Sequence, residues 1–360
     1  MKKNPILLFF LLCFLLFGQS YHLWGQVPIG NEKSKETLFN LIYEKENSFI
    51  QINADFTFFK KHRYKRAYQD ALVTLLENKK SKTPLWQNEA QIRTRGKFRC
   101  RLCDIPPIKI KLSKKDLKKT GFKKANELKL VLNCKQNDTD FQQLVYKEFL
   151  VYKLFNLISD YSFNVQIVDL KLIDSSKGKK YQVQKAFLVE DEEELAKRLD
   201  VEILDTIGIG NNNYSSKEYT RFQAFQYMIG NTDWIPTTCH NIQLLKTPKG
   251  KIIPVPFDFD FSGLVNAPYA TPNSWTPLKN VRQRFFLGND KPEEELMEVM
   301  SEYKNKRAEI STLIKEFPYL NRHEKKSMLK YVHSFFDIID SDDKVRTEMI
   351  DRPEFLSDRY

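Results

Sequence analysis

The segment "NTDWIPTTCHN", residues 231–241, gathers Asp233, His240 and Asn241 in a chain that has only five histidines. Shortly after it, "PVPFDFDFSG" sets Asp258 and Asp260 in an aromatic strand. Carboxylate and amide oxygens suit hard cations such as magnesium or manganese. Phosphoryl transfer asks for such donors, because it needs cations on the phosphates and a carboxylate beside the attacking hydroxyl, and little covalent chemistry from protein. Each residue also has a plainer reading. Asp233 could cap the turn after its helix, and His240 is expected to be a satisfied structural histidine. Asp260 could be a buried acid that supports Asp258, and Trp234 reads as core packing.

The elements that must position these groups can be read from periodicity. The amphipathic "KEYTRFQAFQYMIG" reads as a helix leading directly into "NTDW". Short strands "NIQLL" and "KIIPVPF" flank the turn "KTPKGK" and carry the two aspartates to the end of a hairpin. Upstream, "FIQINADFTFF", "ALVTLLEN", "NEAQIRTRGKFR", "PPIKIKL" and "ELKLVLN" read as strands of a mostly antiparallel sheet. A long helix over 139–158, capped by Asp138 or Thr139, has Glu148 as the one acid in its core. Lys109 and Lys111 share one face of "PPIKIKL", so a Lys–Glu pair with Glu148 is expected; burying such a pair is costly unless it has a task. "FNVQIVDLKLID" and "KYQVQKAFLVE" read as two more strands, the second ending at Glu190, with "DEEELAKRL" as a following helix start. A Pro-rich loop over 265–278 and two amphipathic helices, roughly 291–316 and 322–340, complete the chain.

The whole chain sets further bounds. With 360 residues, 41% hydrophobic and 13% aromatic, it can bury a sizeable core. "MKK" followed by "ILLFFLLCFLLFG" has the charge and the apolar run of a signal peptide over 1–25, with cleavage after Gly25. The run is shorter than the ~20 residues of a spanning helix. An exported chain, in the periplasm, on the outer surface or secreted, is therefore expected, with no transmembrane segment once the signal is removed. Cys100, Cys103, Cys134 and Cys239 would then meet an oxidising compartment. One disulfide, with Cys103–Cys134 as the candidate, is preferred over a zinc site, since no second C-x-x-C or H-x-x-x-H exists. The formal charge is +12, and from Arg93 to Lys124 thirteen Lys or Arg face two acids. That patch, with "KKHRYKR" at 60–66, could meet phosphates or anionic envelope polymers, or be a solvated face. Export and the lack of a helix-turn-helix or zinc-finger pattern argue against nucleic acid.

The order of "RTRGK", "PPIKIKL", "LVLNCKQNDTDFQQLVYKEFLVYKL", "KAFLVEDEEELAKRL", "GNTDW…HN" and "IIPVPFDFDFSG" resembles that of the CotH family, spore-coat and secreted proteins similar to atypical protein kinases. The likeness runs over about 90–265. It implies an α+β, two-lobed atypical kinase-like fold, with a β-rich lobe over 26–190 and a mostly helical lobe over 191–360. It also implies ATP and Mg2+ (or Mn2+) as cofactors and a protein or cell-envelope acceptor. Under it Asp233 is the hydroxyl-orienting catalytic residue, and Asn241, Asp258 and Asp260 are the metal ligands. Lys109 or Lys111, with Glu148, holds the nucleotide phosphates, and Glu190 lies near the nucleotide's hinge. The chain departs from the pattern where "IPTTC" separates Trp234 from His240, where Lys97 replaces an Asn, and where no glycine-rich phosphate loop precedes "PPIKIKL"; "GIGNNN" at 208–213 reads as a loop. ATP is scarce outside the cytoplasm, so the alternative is a catalytically silent kinase-like domain that binds an envelope partner through its basic face. A metal-dependent hydrolase is disfavoured by the lack of a second carboxylate cluster.

Overall fold

The computed structural model describes residues 36–45, 48–209, 213–288 and 292–351. The signal peptide expected over 1–25 lies outside the described residues, and so does part of the loop at 208–213. No helix among the described residues is long and apolar enough to cross a membrane.

After the short helix α1 (Leu38–Tyr43), strand β1 (Phe49–Ala54) alternates buried and half-buried positions. The sequence pattern suggested that this strand runs on through "DFTFF", but it stops at Ala54. The Asp55 side chain accepts the Phe58 N–H at 2.8 Å and caps helix α2 (Phe56–Lys61), offering the backbone a helical alternative. Strands β2 (Gln69–Leu76) and β3 (Trp86–Thr94) follow as an antiparallel pair. β3 also ends earlier than its pattern suggests: Gly96 takes φ +78°, the left-handed region, and turns the chain into the single-turn helix α3 (Arg99–Leu102). Then come β4 (Ile108–Leu112), helix α4 (Lys114–Lys119), β5 (Glu127–Val131) and the long helix α5 (Thr139–Asn156). Asp138 caps α5, its Oδ1 accepting from the N–H groups of Asp140 and Phe141. β6 (Val165–Asp174) precedes two strands where one was expected, β7 (Lys179–Lys180) and β8 (Gln184–Val189).

The sheet order β1-β2-β3-β4-β5-β8-β6 closes on itself, because β1 pairs in parallel with β6, Phe49 lying opposite Asp169. Every other pair is antiparallel. Closure leaves the ring without open edges. Inward residues such as Ile52, Val73, Ile110, Leu130 and Leu170 fill the barrel as one core. Outward residues Val131, Val165, Ile167, Phe187 and Val189 belong to a second core that contains the buried face of α5. That core continues into helix α7 (Ser216–Ile229) and the terminal helices α8 (Glu293–Glu316) and α9 (Arg322–Ile339). Helix α6 (Glu192–Leu199), capped by Asp191, and a three-stranded sheet of β9 (Glu202–Leu204), β10 (Ile242–Lys246) and β11 (Ile252–Pro256) complete the part that positions the site. The architecture is α+β, a closed N-terminal barrel followed by a helical C-terminal part. Cys103 and Cys134 form a disulfide, while Cys100 and Cys239 are free thiols.

Candidate active site

Helix α7 ends at Gly230, whose φ of +63° caps it and where a Cβ would collide with the Tyr331 hydroxyl. The next residue, Asn231, is buried and organises the loop. It accepts the Asp233 N–H on Oδ1 at 3.0 Å and donates Nδ2 to Gln226 Oε1 at 3.0 Å; its carbonyl accepts Trp234 Nε1 at 3.1 Å. Trp234 is core packing, edge-on to Phe222. The residues between Trp234 and His240 form a small closed turn in which Ile235 and His240 exchange both backbone hydrogen bonds. The long spacing is thus folded away, and His240 returns to Asp233.

Asp233 becomes the meeting point of that loop. His240 Nε2 lies 3.0 Å from its Oδ1, and Asn241 Nδ2 donates to Oδ2 at 3.0 Å and to the Asp233 carbonyl at 2.7 Å. The hydrogen bond to Asp233 raises the His240 pKa above its ordinary value, with burial opposing it. His240 was expected to be a satisfied structural histidine; its ring is paired with Asp233, and its side chain, 45% exposed, also lines the cleft. The β10–β11 hairpin then brings its two ends together. Ile242 pairs with Pro256, and the Phe257 N–H donates to the Asn241 carbonyl at 3.1 Å, so Asn241 and Asp258 flank one another. Cys239, Asn241 and Asp258 all have positive φ, at +51°, +56° and +62°. Such conformations are stored where the surrounding structure over-determines them, at ~1–3 kcal/mol each.

Opposite this hairpin, Arg99 projects from α3 into a nest of acids. Its Nη2 bonds Glu148 Oε2 at 2.6 Å, its Nε bonds Asp260 Oδ2 at 2.8 Å, and Nη2 is 3.9 Å from Asp258 Oδ1. Asp260 Oδ2 also accepts from the Tyr269 hydroxyl at 3.0 Å, and Tyr152 Oη accepts the Asp258 N–H at 2.9 Å. Burial pushes the Glu148 and Asp258 carboxyls upward, neighbouring Asp260 adds to the rise, and Arg99 draws both back. Asp258 is the more open of the two, with 38% of its side-chain surface exposed, so solvent tempers its shift. Three carboxylates around one guanidinium leave an excess of negative charge.

The expected pairing of Glu148 with Lys109 or Lys111 is therefore corrected: Arg99 holds Glu148. Helix α5 packs across β6 and β8, away from β4. On β4, Lys109 bonds Glu127 on the neighbouring strand, and Lys111 lies over the Tyr68 ring at 5.3 Å. The buried strand lysine is Lys129, paired with Asp191 and Glu192. Glu190 is also outside the cleft. Both its oxygens are taken by Arg198 at 2.8 Å, and Oε2 also accepts the Asn164 N–H at 2.9 Å, which fixes α6 to the strands.

Asp233, His240, Asn241, Asp258, Asp260 and Glu148 all line one cleft of about 810 Å³. Arg66, Arg95 and Lys97 line the same cleft. Among the described residues, Arg95 Nη1 is buried there without a hydrogen-bond partner. In the sequence these cations are part of a basic run. The signal for Arg99 was present, since a lone acid in an apolar helix needs a cation, but choosing among the available bases required the topology.

Among the described residues no three His, Cys, Asp or Glu side chains converge as a metal cage. The donors present still fit magnesium or manganese bound together with phosphates, because magnesium commonly takes one or two carboxylates and keeps the rest of its shell for substrate oxygens and water. Asp258 offers a carboxylate, and Asn241, having committed its amide nitrogen to Asp233, retains its amide oxygen.

No family model matches the chain, and no curated protein matches it. Among solved structures, that of a Helicobacter pylori proinflammatory kinase, CtkA, is similar over 60% of this chain and 89% of that one, at 11% identity and a TM-score of 0.36. The likeness is distant.

Proposed function

We propose that the cleft binds ATP with magnesium or manganese and transfers the terminal phosphoryl group to a hydroxyl of a protein or cell-envelope acceptor, as a CotH-like atypical kinase. The observation that carries this reading is the convergence of Asp233, Asn241 and Asp258 on one cleft that Arg66, Arg95 and Lys97 also line. Acids and bases in one cleft match a polyphosphate carrying a divalent cation; either set alone would repel half of that ligand.

The chain's own residues divide the work. Asp258 and Asn241 would hold the cation, which supplies charge neutralisation on the phosphates. Arg95, Arg66 and Lys97 bind and orient the phosphate oxygens, and the unpartnered Arg95 Nη1 is the donor poised for one of them. Arg99 keeps Glu148 and Asp260 in place, so that Asp258 is presented at a fixed position. Asp233 orients the acceptor hydroxyl and takes its proton, while His240 and Asn241 hold one carboxylate oxygen each.

The test is transfer of labelled γ-phosphate to casein or to the protein itself, in the presence of magnesium. Transfer lost in both Asp233→Ala and Asp258→Ala supports the assignment. Transfer that survives both changes removes it.

A further inference from the structure

A second concavity, of about 600 Å³, lies on the barrel beside the Cys103–Cys134 disulfide and has a different chemistry. Its walls carry Lys60, Arg63, Arg101, Lys179 and Lys180, and one acid, Asp104. Asp104 is already occupied: Lys135 Nζ lies 3.6 Å from Oδ1, and Oδ2 accepts the Gln136 N–H at 3.0 Å. Among the described residues, Lys60, Arg101, Lys179 and Lys180 have no carboxylate partner. Lys60 and Lys179 instead share one ring, their ammonium groups standing 5.4 and 4.9 Å from the Tyr181 centroid. Arg63 is held rigidly by carbonyls, donating to those of Lys60, Cys103 and Cys100 at 3.0, 2.8 and 3.1 Å. Gln136, which also lines the groove, has its Nε2 buried without a hydrogen-bond partner among the described residues.

Crowding like charges in one concavity is unfavourable unless an anion neutralises them, and low-dielectric walls strengthen their joint field. Ammonium groups without a carboxylate and an amide donor, beside a guanidinium held as a fixed charge, form a set that gives hydrogen bonds and accepts few. We propose that this groove is a metal-independent binding site for a multiply charged phosphate-type oxyanion. The inference stands apart from the phosphotransferase reading, since the groove contains none of the cleft's acids. Its one acid, Asp104, lies beside Lys135, so a metal-bound ligand would find no group of carboxylates like that of the cleft.

The experiment is calorimetric titration of the full chain with inorganic tripolyphosphate in EDTA. Saturable single-site binding is expected, weakened about tenfold or more by Lys60→Glu with Lys179→Glu, since each reversal turns an attraction into a repulsion. Lys118→Glu with Lys119→Glu makes the same charge change on α4, outside the groove, and should alter affinity by no more than about twofold at ordinary salt. Equal losses in the two double variants would reduce the effect to overall charge and overturn the proposal. So would binding that does not saturate in EDTA, or binding abolished by Arg95→Ala and untouched by the groove variant, which would place the anion in the cleft.

Discussion

Arg99 and Arg101 sit two residues apart on one helical turn and have opposite surroundings. Arg99 is buried among Glu148, Asp258 and Asp260, whereas Arg101 is exposed on the wall of a groove with no free acid. Residues two apart on a helix point to nearly opposite sides, so one turn can serve two concavities. The segment at 60–66 is divided in the same way, giving Arg66 to the cleft and Lys60 and Arg63 to the groove. A basic stretch is thus two chemical environments, and the acids opposite each cation decide which. Where carboxylates face the bases, the ligand expected is a metal-bound polyphosphate; where they do not, it is a bare oxyanion.

Removing an acid from the cleft alone separates the two sites most strongly. Asp258→Ala is expected to lower phosphoryl transfer by about a hundredfold to a thousandfold, in the range seen when a group stabilising transition-state charge is removed. Tripolyphosphate binding in EDTA should be unchanged. Loss of both would show that the two sites are not independent.

Removing the base from the acids tests the cleft's electrostatics. Arg99→Ala leaves Glu148 and Asp260 buried without a counter-charge, at a cost of ~3–5 kcal/mol in urea melts near neutral pH. The sign with pH is fixed by the upward shifts of Glu148 and Asp258. A carboxyl whose folded pKa is raised favours the fold while protonated, so its contribution is complete below the ordinary carboxylate range and is lost as pH climbs through the raised value. The variant should therefore recover stability on acidification more steeply than the wild type. A pH-independent loss would contradict the charge account.

The disulfide anchors the end of α3, beside the groove, to the segment after β5. Its sequence separation of 31 residues predicts a loss of about 3–4 kcal/mol on reduction, from loop-closure entropy. Guanidinium melts with and without reductant read it directly; a negligible change would show that packing alone holds this wall. The smallest expected effect concerns His240. Its ring should titrate above the usual histidine value by NMR, and Asp233→Asn should bring the midpoint down. An unmoved midpoint would break the Asp233–His240 link.

Much of the fold was legible because its signals are local. The Asp138 cap and apolar stripe marked α5, the alternation of Ile108, Ile110 and Leu112 marked β4, and the terminal helices followed the helical period. The Asp233, Asn241 and Asp258 constellation was legible too, since a short hairpin brings its parts together within one stretch of chain. Barrel closure was not legible: β1 meets β6 in parallel across most of the N-terminal part, and no local pattern encodes that register. Arg99 was hidden for the same reason. Its partners Glu148 and Asp260 are brought to it by α5 and by the segment after β11, whereas Lys109 and Lys111 lie on a strand that α5 does not cover. The groove combines residues near 60, 100, 136 and 180, which only the closed barrel places side by side.

On the proposed reading, the acid-and-base cleft takes a nucleotide only together with its cation. The direct measurement is thermal stabilisation by ATP with magnesium and with EDTA, in the wild type and in Asp258→Ala. Stabilisation of the wild type with magnesium alone, absent from Asp258→Ala, is the predicted result. No magnesium-dependent shift in the wild type, or an equal shift in Asp258→Ala, would contradict it.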